Sequence, residues 1–172
     1  MEINKEQSNI TLIIGENGSG KSLFAESLAV ESAEKRIYLA TMIPQTQENE
    51  QRIEKHRLQR RDKSFVTLEK DWNIDQIEVS PDSVVLLEDV SNLLANGIFI
   101  HHSTVSEAFS QITALALRCK RLIAVNIYGL CEDGYDSETA SYINGINHLN
   151  DCISSIADTV YMMQNGIPVR KK

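Results

Sequence analysis

Gly15-Glu16-Asn17-Gly18-Ser19-Gly20-Lys21-Ser22 fits the pattern G-x-x-x-x-G-K-[ST] at every fixed position. The apolar run Thr11–Ile14 leads into it, and a helical period through Phe24, Ala25, Leu28 and Ala29 leads out. That strand–loop–helix setting is what a phosphate-cradling loop requires. Its glycines let the backbone curl into a nest of inward-pointing N–H groups, and the helix N-terminus adds partial positive charge at the same place. Gly15, Glu16, Asn17, Gly18, Ser19 and Gly20 would form the cradle. Lys21 would supply a mobile cation for the β- and γ-phosphates, and the Ser22 hydroxyl a ligand for Mg²⁺. The implied ligand is a nucleoside triphosphate, GTP or ATP, carried with Mg²⁺.

Outward from this loop, short β-type runs alternate with helical periods. The strands expected are Ile10–Ile14, Arg36–Thr41, Phe65–Leu68, Val84–Leu87, Leu122–Ile127 and Thr159–Met163. Several alternate too little to have one wet face, so they fit a parallel sheet buried on both sides. Val105, Ala108, Phe109, Ile112, Leu115 and Ala116 recur at helical steps, as do Ile143, Ile146, Ile153 and Ala157. Asn150 falls on the second stripe, so it is expected to have a buried polar partner. The predicted fold is α/β, a P-loop NTPase-like three-layer arrangement with a mostly parallel central sheet. No repeat or linker divides the chain, and 172 residues are read as one domain.

Composition excludes several classes. A 42% apolar and 24% charged chain is ordinary globular material. The apolar runs fall far short of the ~20 residues that span a bilayer, and the opening MEINKEQSN has no signal-peptide character. The three cysteines, Cys119, Cys131 and Cys152, are widely spaced without a CxxC pair, so they are read as reduced thiols of a cytoplasmic protein. A net charge of -7 argues against nucleic acid as a partner. Yet six basic residues and only two acidic ones lie between Arg52 and Lys63, a local patch suited to a small polyanion.

A phosphate loop of this kind is usually joined by an acid at the end of a second buried strand. Val84-Val85-Leu86-Leu87-Glu88-Asp89 supplies one. Glu88 is the favoured metal-side acid and Asp89 the substitute; Asp89 would equally serve as a plain helix cap. The basic patch reads as a helix over residues 47–62, poor in apolar residues and expected to overhang the site. Arg52, His56 and Arg60 share one face, with Arg57 and Arg61 on its flank. Three arrangements fit that stripe. It is a solvated face, a lid of arginines over transferring phosphates, or a nucleophilic His56 whose arginine neighbours neutralise the attacked phosphoryl group. His101, His102 and His148 read as surface or packing residues.

Taken together, the chain resembles the bifunctional adenosylcobinamide kinase / adenosylcobinamide-phosphate guanylyltransferase family of cobalamin biosynthesis. The matching pieces are G-E-N-G-S-G-K-S (15–22), I-Y-L-A-T (37–41), R-I-E-K-H-R (52–57) and T-L-E (67–69). L-L-E-D with the later Asn96 (86–89) and an Asn-to-A-D-x-V stretch ending in G-I-P-V (150–169) complete the set. The resemblance implies that His56 accepts GMP from GTP and passes it to adenosylcobinamide phosphate, and that the same loop serves the kinase step. It makes Arg52, Arg57, Glu69 and Glu88 nucleotide contacts, Ser22 and Glu88 metal contacts, and His56 and Lys21 catalytic. It also implies a small corrinoid substrate and a homo-oligomer, commonly a trimer.

The chain departs from that pattern mainly in its latter half. Ile127 stands where the family commonly has an acid, Asn147 where it has a glycine and Asp62 where it has a proline; 131–138 lacks the usual Pro-Glu. The nucleotide half is intact, and the departures collect where the acceptor side would be shaped. Other readings of the residues are a nucleotide-binding regulatory module without turnover, and a kinase for another small alcohol with no histidine intermediate. No L-S-G-G-Q motif is present to suggest a mechanical ATPase.

Overall fold

The computed structural model describes residues 9–172; the stretch before Asn9, read above as lacking a signal, lies outside them. The elements are β1 (Ile10–Gly15), α1 (Lys21–Ser32), β2 (Arg36–Ala40), α2 (Gln47–Arg60) and β3 (Phe65–Glu69), then β4 (Val84–Glu88) and α3 (Val90–Ala95). They continue as α4 (Val105–Ala116), β5 (Arg121–Ile127), α5 (Ser137–Ile156), β6 (Thr159–Gln164) and β7 (Ile167–Arg170). One sheet holds the seven strands in the order β3-β2-β4-β5-β1-β6-β7. Six strands are parallel, and β7 pairs antiparallel to β6.

β1 is buried along its length, and β4 and β5 are buried except at strand ends, as their apolar runs require. Successive residues point to opposite faces. Leu12, Ile14, Val85, Leu87, Leu122 and Ala124 pack against the layer of α3, α4 and α5. Ile13, Val84, Leu86, Ile123 and Val125 pack with Ala25 and Ala29 of α1. Phe109 packs on the core. Thr104 caps α4, accepting from the Glu107 amide at 3.2 Å while Glu107 reaches back.

Two expectations change. β3 is an edge strand, with Val66, Thr67 and Glu69 exposed, so burial on both faces does not extend to it. β7 was not anticipated; Asn165-Gly166, both at positive φ, turn the chain back to form it. The loop joining α3 to α4 contains a π-helical turn, Asn96–Ile100. Gly97 is required there, because a Cβ would stand 2.5 Å from the Trp72 ring.

The expected partner of Asn150 is Asn126 at the end of β5, whose Nδ2 donates to Asn150 Oδ1 at 2.7 Å. Asn150 Nδ2 in turn donates to the Ile127 carbonyl at 3.0 Å, and Asn126 Oδ1 accepts from the Ile127 amide at 3.0 Å. The pair fixes the point where the chain leaves the sheet. Cys119 is buried with its thiol pushed up to about 11 by desolvation, Cys152 is half-buried and Cys131 is exposed; all three are free. Among the described residues no helix is long and apolar enough to cross a membrane.

Removing the Asn150 amide strands its buried partner. Asn150→Ala is expected to lower the unfolding free energy by about 2–3 kcal/mol, read as a fall in urea midpoint with unchanged slope.

Candidate active site

The carboxyl ends of the strands set the site. Gly15 is in register with Ile127, and Glu88 with both Val125 and Ala40, which itself faces Glu69. The phosphate loop, Glu88 and Glu69 therefore end at one sheet edge, where α/β sheets bind ligands. Gly15 is packed so closely that a Cβ would meet Ser19 Oγ at 2.6 Å and Met163 Cβ at 2.9 Å. Gly18 and Gly20 have φ of 72° and 87°, and Gly20 caps α1. Glu16 and Asn17 are exposed on the loop, and the buried Ser19 hydroxyl has no partner among the described residues. Lys21 Nζ donates to the Glu16 carbonyl at 2.6 Å. Desolvation holds its pKa below the usual lysine range.

Glu88 and Asp89, adjacent in sequence, sit in different surroundings. Asp89 caps α3: its Oδ1 accepts from the Asn92 amide at 2.7 Å, Asn92 Nδ2 at 3.0 Å and Ser91 Oγ at 2.7 Å. All three bonds fall on that one oxygen. Glu88 instead accepts a hydrogen bond from Ser22 Oγ through Oε1, while Oε2 is buried without a partner among the described residues. Burial pushes the Glu88 carboxyl up to about 7, against which the Ser22 hydrogen bond acts. The Glu88–Asp89 peptide is cis.

α2 starts at Thr46, whose hydroxyl accepts from the Asn49 amide, with Glu48 and Glu50 in its first turn and Arg57 and Arg60 in its last. It docks through polar groups. Gln59 Nε2 donates to Glu26 Oε1 at 2.9 Å and Lys63 Nζ to Glu26 Oε2 at 2.5 Å, Glu26 being wholly buried in α1. The Arg60 guanidinium lies 3.3 Å above the Tyr38 ring and is buried. Arg60 is thus a docking residue of α2, not a member of an exposed lid. His56, one turn earlier, has Nδ1 4.0 Å from Glu88 Oε1. Burial, and then the Arg60 charge, hold the imidazole below its ordinary pKa, while Glu88 is pushed up. The two shifts run in the directions that weaken the charge on each partner of this 4.0 Å contact. Arg57 pairs with Glu54 at 3.4 Å and Glu69 at 3.7 Å in exposed bridges of small energetic weight.

A cavity of about 480 Å³ runs over the loop and is lined by Lys21, Ser22, Arg52, His56, Glu88 and Tyr142 among others. A narrower recess between α2 and the sheet edge is lined by Tyr38, Arg52, His56, Arg57, Glu69 and Glu88. Every site residue expected from the sequence therefore lies on the loop or on one of these two linings.

A family model described as cobinamide kinase / cobinamide phosphate guanyltransferase, CobU, matches residues 11–171. The chain belongs to the CobU family. It is thus a transferase of the kinase and guanylyltransferase class, and its substrate is a small corrinoid. No curated protein matches significantly. Among solved structures, an ATPase domain aligns with TM-score 0.54 at 14% identity over 91% of this chain and 69% of that one. A protein from Pyrococcus horikoshii OT3 aligns at 0.52 and 11% identity over 99% and 92%. A prototypical ATPase from the type III secretion system of pathogenic bacteria aligns at 0.52 and 11% over 95% and 57%. These likenesses show the fold alone, an α/β P-loop NTPase-like arrangement.

The candidate site also contains residues the sequence did not single out. Tyr38, Glu26 and Gln59 seat the basic helix, and Tyr142 forms a cavity wall. Glu26 carried one legible signal, a charge on the face of α1 that also bears Ala25 and Ala29.

Glu88 makes stability depend on pH with a defined sign. Its carboxyl loses its proton near 4.5 when unfolded and about 7 when folded, so the native state holds the extra proton between those values. The associated stability is full below 4.5 and gone above about 7. In metal-free buffer, Glu88→Gln is expected to remove this loss, raising stability at pH 8 relative to the unsubstituted chain by up to about 3 kcal/mol, with little difference at pH 4.5. Thermal melts of both proteins across pH 4.5–8 check it.

Proposed function

We propose that the protein phosphorylates adenosylcobinamide and then transfers GMP to the product, with Mg-nucleotide on the phosphate loop and His56 as the GMP carrier. The observation that carries this reading is the placement of His56 beside Glu88, within one cavity with Lys21 and Ser22. The donor set fits Mg²⁺: a hydroxyl and a carboxylate with one oxygen unpaired, leaving the remaining positions to phosphates and water. Ser22 and Glu88 would hold the ion, which when bound neutralises charge on the transferring phosphates.

In the kinase reaction the alcohol oxygen of the aminopropanol arm attacks the γ-phosphorus, the bridging bond to the β-phosphate breaks, and the hydroxyl proton passes to water. The loop amides and Lys21 hold the phosphates in line. In the nucleotidyl reaction the lone pair of His56 Nε2 attacks the α-phosphorus of GTP and pyrophosphate leaves. Nδ1 is the buried nitrogen facing Glu88, which favours Nε2 as the attacking atom. Depression of the imidazole pKa keeps that lone pair free at neutral pH. A phosphate oxygen of adenosylcobinamide phosphate then attacks the same phosphorus, and the N–P bond breaks with its electrons returning to the ring. Arg52 and Arg57 on α2, with Glu69 at the end of β3, contact the nucleotide in this reading.

The reading includes a single domain over residues 1–172. It describes a cytoplasmic protein that works as a homo-oligomer, a trimer, and engages neither nucleic acid nor membrane.

Incubation with α-labelled GTP is expected to leave acid-labile label on the protein, and His56→Ala to abolish it. Label retained by His56→Ala would refute the carrier role. Lys21→Ala is expected to slow phosphorylation of adenosylcobinamide by about 10²-fold or more, measured as labelled phosphate transferred to the corrinoid.

A further inference from the structure

The cavity over the phosphate loop has two unlike walls. One carries Lys21, Ser22, His56 and Glu88; the other presents the half-buried Ile127, Leu130 and Tyr142, backed by the buried Val125 and Ile146. The side chains of Ile127, Leu130 and Tyr142 offer phosphates neither cation nor free donor. The Tyr142 hydroxyl is already spent on the Ser91 carbonyl at 2.8 Å, so this residue contributes its ring. The wall continues outward: the Phe99 ring lies 5.6 Å from that of Tyr142, and Phe99 is 44% exposed. A lone exposed aromatic needs no explanation, but an apolar strip running from a cavity to the surface marks a ligand groove.

The strip is built rigidly. Asn126 and Asn150 grip the Ile127 amide and carbonyl, and Asn96 Nδ2 ties the π-helical turn bearing Phe99 to the carbonyls of Thr41 and Asp71 at 2.8 and 3.0 Å. A corrinoid has what this surface lacks and needs: a large, mostly uncharged body with a reactive arm that must reach the phosphates.

We propose that this wall is the acceptor subsite. The arm of the corrinoid lies along Ile127 and Leu130, and its macrocycle edge rests on Tyr142 and Phe99. The nucleotide phosphates take the opposite wall, so the inference rests on the reading of the loop given under Proposed function.

The test measures two equilibria separately on the full chain, cobinamide binding by dialysis and GTP binding by a fluorescent analogue. Phe99→Ser and Tyr142→Leu are each expected to weaken cobinamide binding about tenfold, with GTP binding changed less than twofold. Tyr142→Phe, which keeps the ring, is expected to bind cobinamide as the unsubstituted chain does. Phe99 is exposed, so its substitution keeps the test valid should Tyr142→Leu fold poorly. Unchanged cobinamide binding in Phe99→Ser and Tyr142→Leu would overturn the proposal. So would a loss confined to GTP, which would make the wall a nucleoside pocket. If the unsubstituted chain binds cobinamide but no nucleotide, and the variants lose cobinamide, the subsite stands and the phosphate-loop reading falls.

Discussion

β5 is the only strand between the one that ends in the phosphate loop and the one that ends in Glu88. Two strand spacings, about 10 Å, separate those ends. A serine in the first turn of α1 and a glutamate closing β4 are together long enough to bridge that gap. The contact leaves a carboxyl buried with one oxygen unpaired. Such burial is costly unless something compensates. The same packing that makes the sheet imposes that cost, and in the function proposed above a cation held by Ser22 and Glu88 would offset it.

His56 depends on a second, different constraint. α2 has too little apolar surface to bury, and nothing hydrophobic dictates where it rests. A wholly buried Glu26 and an arginine stacked on Tyr38 take over that task, gripping the last turn of the helix and the residues just beyond. A buried carboxylate with two donors is costly to break, because either partner removed leaves the other uncompensated. The anchor lies one turn from His56, and the register of the helix then fixes the imidazole over the loop.

These two constraints differ in how far they can be read from residues alone. The loop, its flanking strand and helix, and the acid at the end of β4 are written locally, as a fixed spacing and as runs of one period. The residues alone favour Glu88 over Asp89, and the start of α3 at Asp89 adds a structural difference, a cap made through one carboxylate oxygen. The basic stripe gave the helix and its face but not its seat, since Arg60 looks the same in sequence whether it points to water or lies on an aromatic ring. β3 looked like its inner neighbours because Val66 and Leu68 are apolar, whereas its place at the edge is set by strand order. Asn150 announced a missing partner by sitting on an apolar stripe, but Asn126, 24 residues away, could be paired with it only in three dimensions.

The unequal setting of the three thiols has a practical corollary. Cys119 is sealed in the core with its sulfur kept protonated, whereas Cys131 follows Leu130 of the apolar wall and is open to solvent. With Cys152 half-covered and its sulfur 3.7 Å from His148 Nε2, alkylating reagents meet Cys131 first. The chain thus carries its own attachment point for an environment-sensitive dye, one residue from the surface on which the corrinoid is placed.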